Sequence, residues 1–252
     1  MSLLDNIVAT PRRTMTLFFL ADTSGSMYGG KIGAVNDAIR NVLPIVSEIS
    51  EDNPDAEIKI AALTFSNGCE WIYPEPRLAA DFEWEDQTAG GGTDLGDACC
   101  ELASKLSQSH GFMKSGSGSY APVLILLSDG GPTDDFDAGM EKLKNNNWYK
   151  SAIKVAIAIG DDADVDVLAK FTGNIERVIK VHDIESLKKV IRVVVVTSSQ
   201  VGSKSTSATV NGAVQTKADE AMQAIKEQVE PEQNIQVGVD AANVDMSDED
   251  WD

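Results

Sequence analysis

The feature that most restricts the fold is an apolar run, Met15-Thr16-Leu17-Phe18-Phe19-Leu20-Ala21, that stops abruptly at Asp22-Thr23-Ser24-Gly25-Ser26. The run is too short to span a membrane, and its branched and aromatic residues suit a strand buried on both faces, as in a parallel sheet. Ligands of open α/β sheets gather at the carboxyl ends of such strands. Asp22, Ser24 and Ser26 alternate with Thr23 and Gly25, so a tight loop can turn three oxygens towards one point. Oxygen-only donors suit a hard divalent cation such as Mg²⁺, which usually keeps waters that an incoming ligand can displace. The plainer reading of a lone D-x-S-x-S is that these residues cap the following helix. Two later stretches decide between them.

The first is Thr88-Ala89-Gly90-Gly91-Gly92-Thr93-Asp94-Leu95-Gly96, a glycine-rich loop that opens a helix reaching to about residue 107. Its glycines let the backbone approach something closely, but the Lys-Ser/Thr that closes a nucleotide-binding P-loop is missing, which leaves the Thr93 hydroxyl as a further oxygen donor. The second is an apolar strand over 122–127 halted by Ser128-Asp129-Gly130-Gly131-Pro132-Thr133. Two buried strands thus each end in an aspartate, with a glycine-threonine loop between them in sequence. That arrangement is expected if all three meet at one crevice.

Apolar residues at steps of three and four mark a helix over 31–50, and a turn at Asp52-Asn53-Pro54-Asp55 leads into a strand over 57–65. Short extended pieces at 69–73 and 77–82, interrupted by Pro74 and Pro76, suit an antiparallel edge strand, where a missing N–H is tolerated. The pattern continues with a helix over 134–147, a strand over 154–159 ending in Gly160-Asp161-Asp162, a short helix over 165–171, a strand over 178–181 and a helix from Asp183 that ends near Val196. Alternating strands and helices specify a doubly wound, Rossmann-like α/β fold: a mainly parallel sheet with one antiparallel edge strand and helices on both faces.

This domain spans 10–196. Nine Ser/Thr and little that is large and apolar make 197–216 a linker, and 217–252 a weakly helical then acidic, flexible tail. The tail closes with Asp245-Met246-Ser247-Asp248-Glu249-Asp250-Trp251-Asp252, which reads either as a solvated stretch or as a docking peptide whose Trp anchors in a basic, apolar groove. Asp248, Glu249 or Asp250 could also occupy the cation site as an internal competitor. A formal net charge of −19 excludes nucleic acid and anionic membranes as expected partners. Three cysteines form neither a disulfide framework nor a zinc pattern, and no signal peptide or transmembrane helix is read, so a cytoplasmic location is expected.

Asp22-x-Ser24-x-Ser26, Thr93 and Asp129 in Ser-Asp-Gly resemble the von Willebrand factor A domain with a complete metal-ion-dependent adhesion site. The resemblance implies that Asp22, Ser24, Ser26, Thr93 and Asp129 hold Mg²⁺, with Mn²⁺ or Ca²⁺ as alternatives, and that the cation binds an Asp or Glu of a protein partner. Leu20 to Met27, Gly90-Gly91-Gly92-Thr93 and Leu127 to Asp134 look most like bacterial tellurium-resistance-associated members, which implies a stress-linked scaffold beside a Ser/Thr kinase and a phosphatase, with phosphorylation of a Ser or Thr. The rival readings are a Mg²⁺-dependent phosphohydrolase and an inert scaffold with a structural metal. Against an enzyme, Ser24 stands where a phosphoaspartate phosphatase wants a second acid, His110 and His182 read as surface or capping residues, and Cys69, Cys99 and Cys100 as packing.

Overall fold

The computed structural model describes residues 11–204, 209–210, 213–214, 216–229 and 234–238. In chain order the elements are β1 (Arg13–Asp22), α1 (Gly30–Glu51), β2 (Ala56–Ser66), β3 (Gly68–Trp71), β4 (Arg77–Leu78), α2 (Leu95–Lys105) and β5 (Val123–Ser128). Then follow α3 (Phe136–Lys144), α4 (Asn147–Ser151), β6 (Ile153–Ile159), α5 (Val165–Thr172), β7 (Val178–Val181), α6 (Ile184–Gly202), the small hairpin β8 (Thr209–Val210) and β9 (Ala213–Val214), α7 (Lys217–Val229) and β10 (Ile235–Val237).

The main sheet runs β10-β7-β6-β5-β1-β2-β3, with β4 also on β2. β1 lies inside it, parallel to β2 on one side and to β5 on the other. Successive side chains of a strand point to opposite faces, and β1 uses both: Leu17, Phe19 and Ala21 join the core with α1, α6 and α7. Phe18 and Leu20 join the opposite core with α2, α3 and α5. That double burial is why the strand reads as an unbroken apolar run. Asp135, Asp164 and Asp183 start α3, α5 and α6 by accepting a backbone N–H three residues on, and Gly173 stops α5 in the left-handed conformation at φ +78°.

The doubly wound, mainly parallel fold is therefore the one expected, with differences at its margins. Antiparallel strands close both edges, β3 and β4 on β2 and β10 on β7, where one antiparallel edge was expected. The expected helix over 134–147 breaks into α3 and α4, because Asn146 turns out of the helix and caps α4 through the N–H groups of Trp148 and Tyr149. A larger correction concerns the linker expected from Thr197: α6 runs on to Gly202, with Ser198 and Ser199 fully buried. Small residues are needed there, since a Cβ at Gly202 would come within 2.7 Å of Met15 Sδ. Nor do 217–229 and 234–238 hang free as a tail. Ala221, Met222, Ile225 and Val229 of α7 bury themselves in the α1–α6 core, and β10 pairs with β7. The acidic stretch from 239 and the leader up to 10 lie outside the described residues.

Candidate metal centre

The crevice is built at the carboxyl ends of β1 and β5. Asp22, the last residue of β1, is fully buried: its Oδ1 accepts the Ser24 N–H at 2.8 Å and its Oδ2 accepts the Ser128 hydroxyl at 2.5 Å. Ser24 and Ser26, on either side of Gly25 as the chain turns into a short 3-10 segment, bring their Oγ atoms to 3.0 Å of one another. Ser24 is buried and Ser26 exposed, so the pair lines a wall from interior to solvent.

Thr93 reaches this wall through its backbone. The Gly90 N–H donates to Thr23 O at 2.9 Å, and the Gly25 N–H donates to Gly91 O at 3.1 Å. Gly91 lies at φ +85°, and a Cβ there would come within 2.7 Å of Asn67 Nδ2. Asn67 Oδ1 in turn accepts the Gly92 N–H at 2.7 Å. Thr93 is buried and clamped by Thr133, whose Oγ1 accepts the Thr93 N–H at 2.8 Å and whose own N–H donates to Thr93 O at 2.9 Å.

Asp129 completes the crevice one residue past β5. It is buried, and its Oδ2 has no hydrogen-bond partner. The Asp129 carbonyl accepts the Asp164 N–H at 2.6 Å, while Gly130, at φ +80°, packs so tightly that a Cβ would meet Asp164 O at 2.8 Å. Burial raises the Asp22 carboxyl above its ordinary value of 3.8; the bonds from Ser128 and Ser24 oppose that rise and the nearby Asp129 charge adds to it. The two carboxylates therefore share one buried site.

Of the five expected donors, Asp22, Ser24 and Ser26 are joined by hydrogen bonds, Asp129 lies near enough for its charge to act on Asp22, and Thr93 is brought up by the loop it belongs to. Other reactive groups are engaged elsewhere. His182, expected at the surface or as a cap, is buried with its Nδ1 hydrogen-bonded to Asp161; His110 is exposed beside Ser109. Burial pushes the Cys69 thiol up to about 11 and raises Cys99 further, so neither is a ready nucleophile. Among the described residues no three His, Cys, Asp or Glu side chains gather as a metal cluster, so a cation in this crevice relies on hydroxyls.

Sequence reasoning gave no role to Ser128, which fixes Asp22, or to Asn67 and Thr133, which fix the glycine loop. For Ser128 the signal was adjacency to Asp129 at a strand end. Asn67 and Thr133 stand 25 and 40 residues from their partners, so only the fold brings them into contact.

No curated protein sequence matches the chain. Among solved structures, a von Willebrand factor type A protein from Catenulispora acidiphila is similar at TM-score 0.54 and 17% identity, covering 75% of this chain and 43% of that one. Proximal thread matrix protein 1 from the mussel byssus, described with a zinc occupied MIDAS motif, is similar at TM-score 0.57 and 14% identity, covering 74% and 48%. The pilus adhesin SpaC from Lactobacillus rhamnosus GG, in its open conformation, gives TM-score 0.56 and 13% identity, covering 86% and 31%. This chain spans less than half the length of each of these three. The family model described as the von Willebrand factor type A domain matches residues 16–193, from β1 into α6, and the chain belongs to that family.

Proposed function

We propose that Asp22, Ser24, Ser26, Thr93 and Asp129 hold one divalent cation, Mg²⁺ with Mn²⁺ or Ca²⁺ as alternatives, and that an open position on it takes an Asp or Glu side chain of a protein partner. The observation that carries this reading is the buried, unpartnered Asp129 Oδ2 beside the buried Asp22 carboxylate. Left as they are, two such groups are costly, and a dication answers both the missing partner and the shared negative charge. When bound, the ion supplies a Lewis-acid site for an anionic oxygen. Ser24, Ser26 and Thr93 contribute neutral oxygens, which leaves the ion less neutralised than an all-carboxylate set would and keeps it open to a further anion.

The same residues argue for binding rather than hydrolysis. Ser24 occupies the position of the second acid, and His110 and His182 are taken up outside the crevice. The motif wording around 20–27, 90–93 and 127–134 supports the finer proposal of a cytoplasmic scaffold in a bacterial tellurium or stress response, beside a Ser/Thr kinase and a phosphatase and itself phosphorylated on a Ser or Thr.

Calorimetry of Mg²⁺ and Ca²⁺ with the whole chain tests the site; a truncation at 198 would cut α6. We expect stoichiometric binding in the wild type that disappears in Asp22→Ala and Ser24→Ala while circular dichroism is unchanged, and capture of an acidic partner that EDTA abolishes. Equal cation binding by wild type and folded variants would sink the proposal, and Mg²⁺-dependent cleavage of an aryl phosphate that Asp22→Ala lacks would replace it with the hydrolase.

A further inference from the structure

A second surface, remote from the crevice, gathers lysines in an otherwise acidic molecule. A groove of about 660 Å³ opens between the turn carrying Pro74 and Pro76 and the loop between α2 and β5. Its charged lining is Lys59, Lys105 and Lys114 against Glu75, with His110 beside them. In a chain with 21 Lys and Arg against 40 Asp and Glu this is a local excess of the scarcer sign. Glu57 lies 4.0 Å from Lys59 and Glu101 3.7 Å from Lys105, whereas Lys114 is exposed. The apolar lining includes Phe112, whose half-buried ring is held 6.3 Å from Phe18 in a stacked pair and 4.9 Å from Trp71 edge-on. A rigid aromatic rimmed by cations is a seat for an aromatic anchor flanked by acids.

We propose that the chain's own residues 245–252 dock there, with Trp251 on Phe112 and the acids at 245, 248, 249, 250 and 252 on the lysines. The geometry of β10 supports this. β10 runs antiparallel to β7, so the chain leaves it at Gly238, whose N–H donates to Val178 O. Val178 pairs with Ala156, Ala156 with Leu126 and Leu126 with Leu20, so the exit is level with Leu20. It points away from the Asp22 end and towards the end where Thr16 pairs with Lys59. Crossing from β10 to β2 takes about 24 Å at about 4.8 Å per strand, and descending from the level of Leu20 to that of Thr16 about 13 Å, roughly 27 Å in a straight line. Trp251 stands thirteen residues beyond Gly238, a reach of about 43–47 Å. The surplus covers the path over the surface. The rival destination is the metal centre, where an acid of the same segment would sit on the cation; the indole has no part in that contact, and Lys59 and Lys114 do not touch it.

Incorporating 5-fluorotryptophan into the whole chain gives ¹⁹F resonances for its four tryptophans, and Trp251→Phe assigns the one that matters. At low ionic strength in EDTA we expect the Trp251 resonance displaced from its position in a free peptide of residues 239–252. It should return at least half-way in Lys114→Glu, likewise in Lys59→Glu, and again for the wild type in 1 M salt, with Trp84 and Trp148 unmoved as witnesses of the fold. A wild-type resonance already at the free-peptide position overturns the proposal. So does a displacement that ignores both lysine reversals and needs a divalent cation and Asp22, which assigns the segment to the metal centre. A displacement lost on dilution also overturns it, since the segment would then sit on a second copy.

Discussion

Asp129→Ala separates the cost of the crevice from its use. In the metal-free protein the substitution removes a buried carboxylate whose Oδ2 has no donor, together with one of two negative charges that share the site. An unsatisfied buried polar group costs about 1–3 kcal/mol, and more when charged. The truncation leaves a gap the size of the carboxyl group, which takes back about 1 kcal/mol at about 24 cal/mol per Å³ of cavity. The variant should therefore be at least as stable as the wild type in EDTA, by up to about 2 kcal/mol, or up to about 8 °C in Tm for a domain of this size. Adding Mg²⁺ at a hundred times its Kd should raise the wild type by about 2.7 kcal/mol, or about 5–11 °C, and leave the variant where it was. The wild type, no more stable than the variant in EDTA, is then the more stable of the two in Mg²⁺. Differential scanning calorimetry of both proteins in both buffers reads this directly. A variant less stable than the wild type in EDTA, or equal Mg²⁺ shifts for the two, would refute the argument that Asp129 is held at a cost for the sake of a cation.

Ser128→Ala removes the 2.5 Å bond to Asp22 Oδ2 and the acceptor of the Gly130 N–H, so urea unfolding at neutral pH should show a loss of about 3 kcal/mol; a loss under about 1 kcal/mol would mean that Ser128 does not hold Asp22. Because burial raises the folded Asp22 carboxyl above 3.8, the native state binds the proton more readily than the unfolded chain; the metal-free protein should therefore gain stability as pH falls from neutral towards that range, and Asp22→Asn should lack this gain. The same slope in both proteins would place its source elsewhere. Lys154, buried with its Nζ donating to Tyr149 O at 3.0 Å, has its amine pushed down from 10.5 to about 8, chiefly by desolvation. Here the unfolded chain binds the proton more readily, so stability should rise between pH 8 and 10.5, and Lys154→Met should flatten that rise in denaturant titrations.

What could be read from the sequence follows burial. β1 and β5, enclosed on both faces, carry no outward polar residues to blur them, and Asp22 at the end of one and Asp129 just past the other stand out against the apolar runs. The end of α6 misled for the opposite reason: Val193 to Val196 suit a strand by propensity, and the Ser/Thr run after them looks like a linker. The small size that suggests a linker is what lets α6 pass Met15 at the start of β1. β10 offers only Ile235 and Val237 around a glutamine, too short a signal without β7 beside it to pair with. Within the crevice, residue identity named the oxygen donors, while the latches at Asn67 and Thr133 depend on contacts between distant loops.

Those latches bear on what the cation is for. A metal that serves only the fold contributes by organising ligands that are otherwise scattered, and its removal unfolds the domain. Here the loops bearing the donors are tied by the chain itself: Gly90 to Thr23, Gly25 to Gly91, Thr93 to Thr133 and Asp164 to Asp129, all through backbone N–H donors. Gly25, Gly91 and Gly130 keep these loops close enough for the ties to form. Little ordering is left for a cation to pay for. On the proposed reading its binding energy would go instead to relieving the two buried carboxylates, and the crevice is shaped without any ion or partner. A site pre-formed to this degree, with Ser26 exposed at its rim, favours the proposed exchange of an external carboxylate over a metal that only holds the domain together.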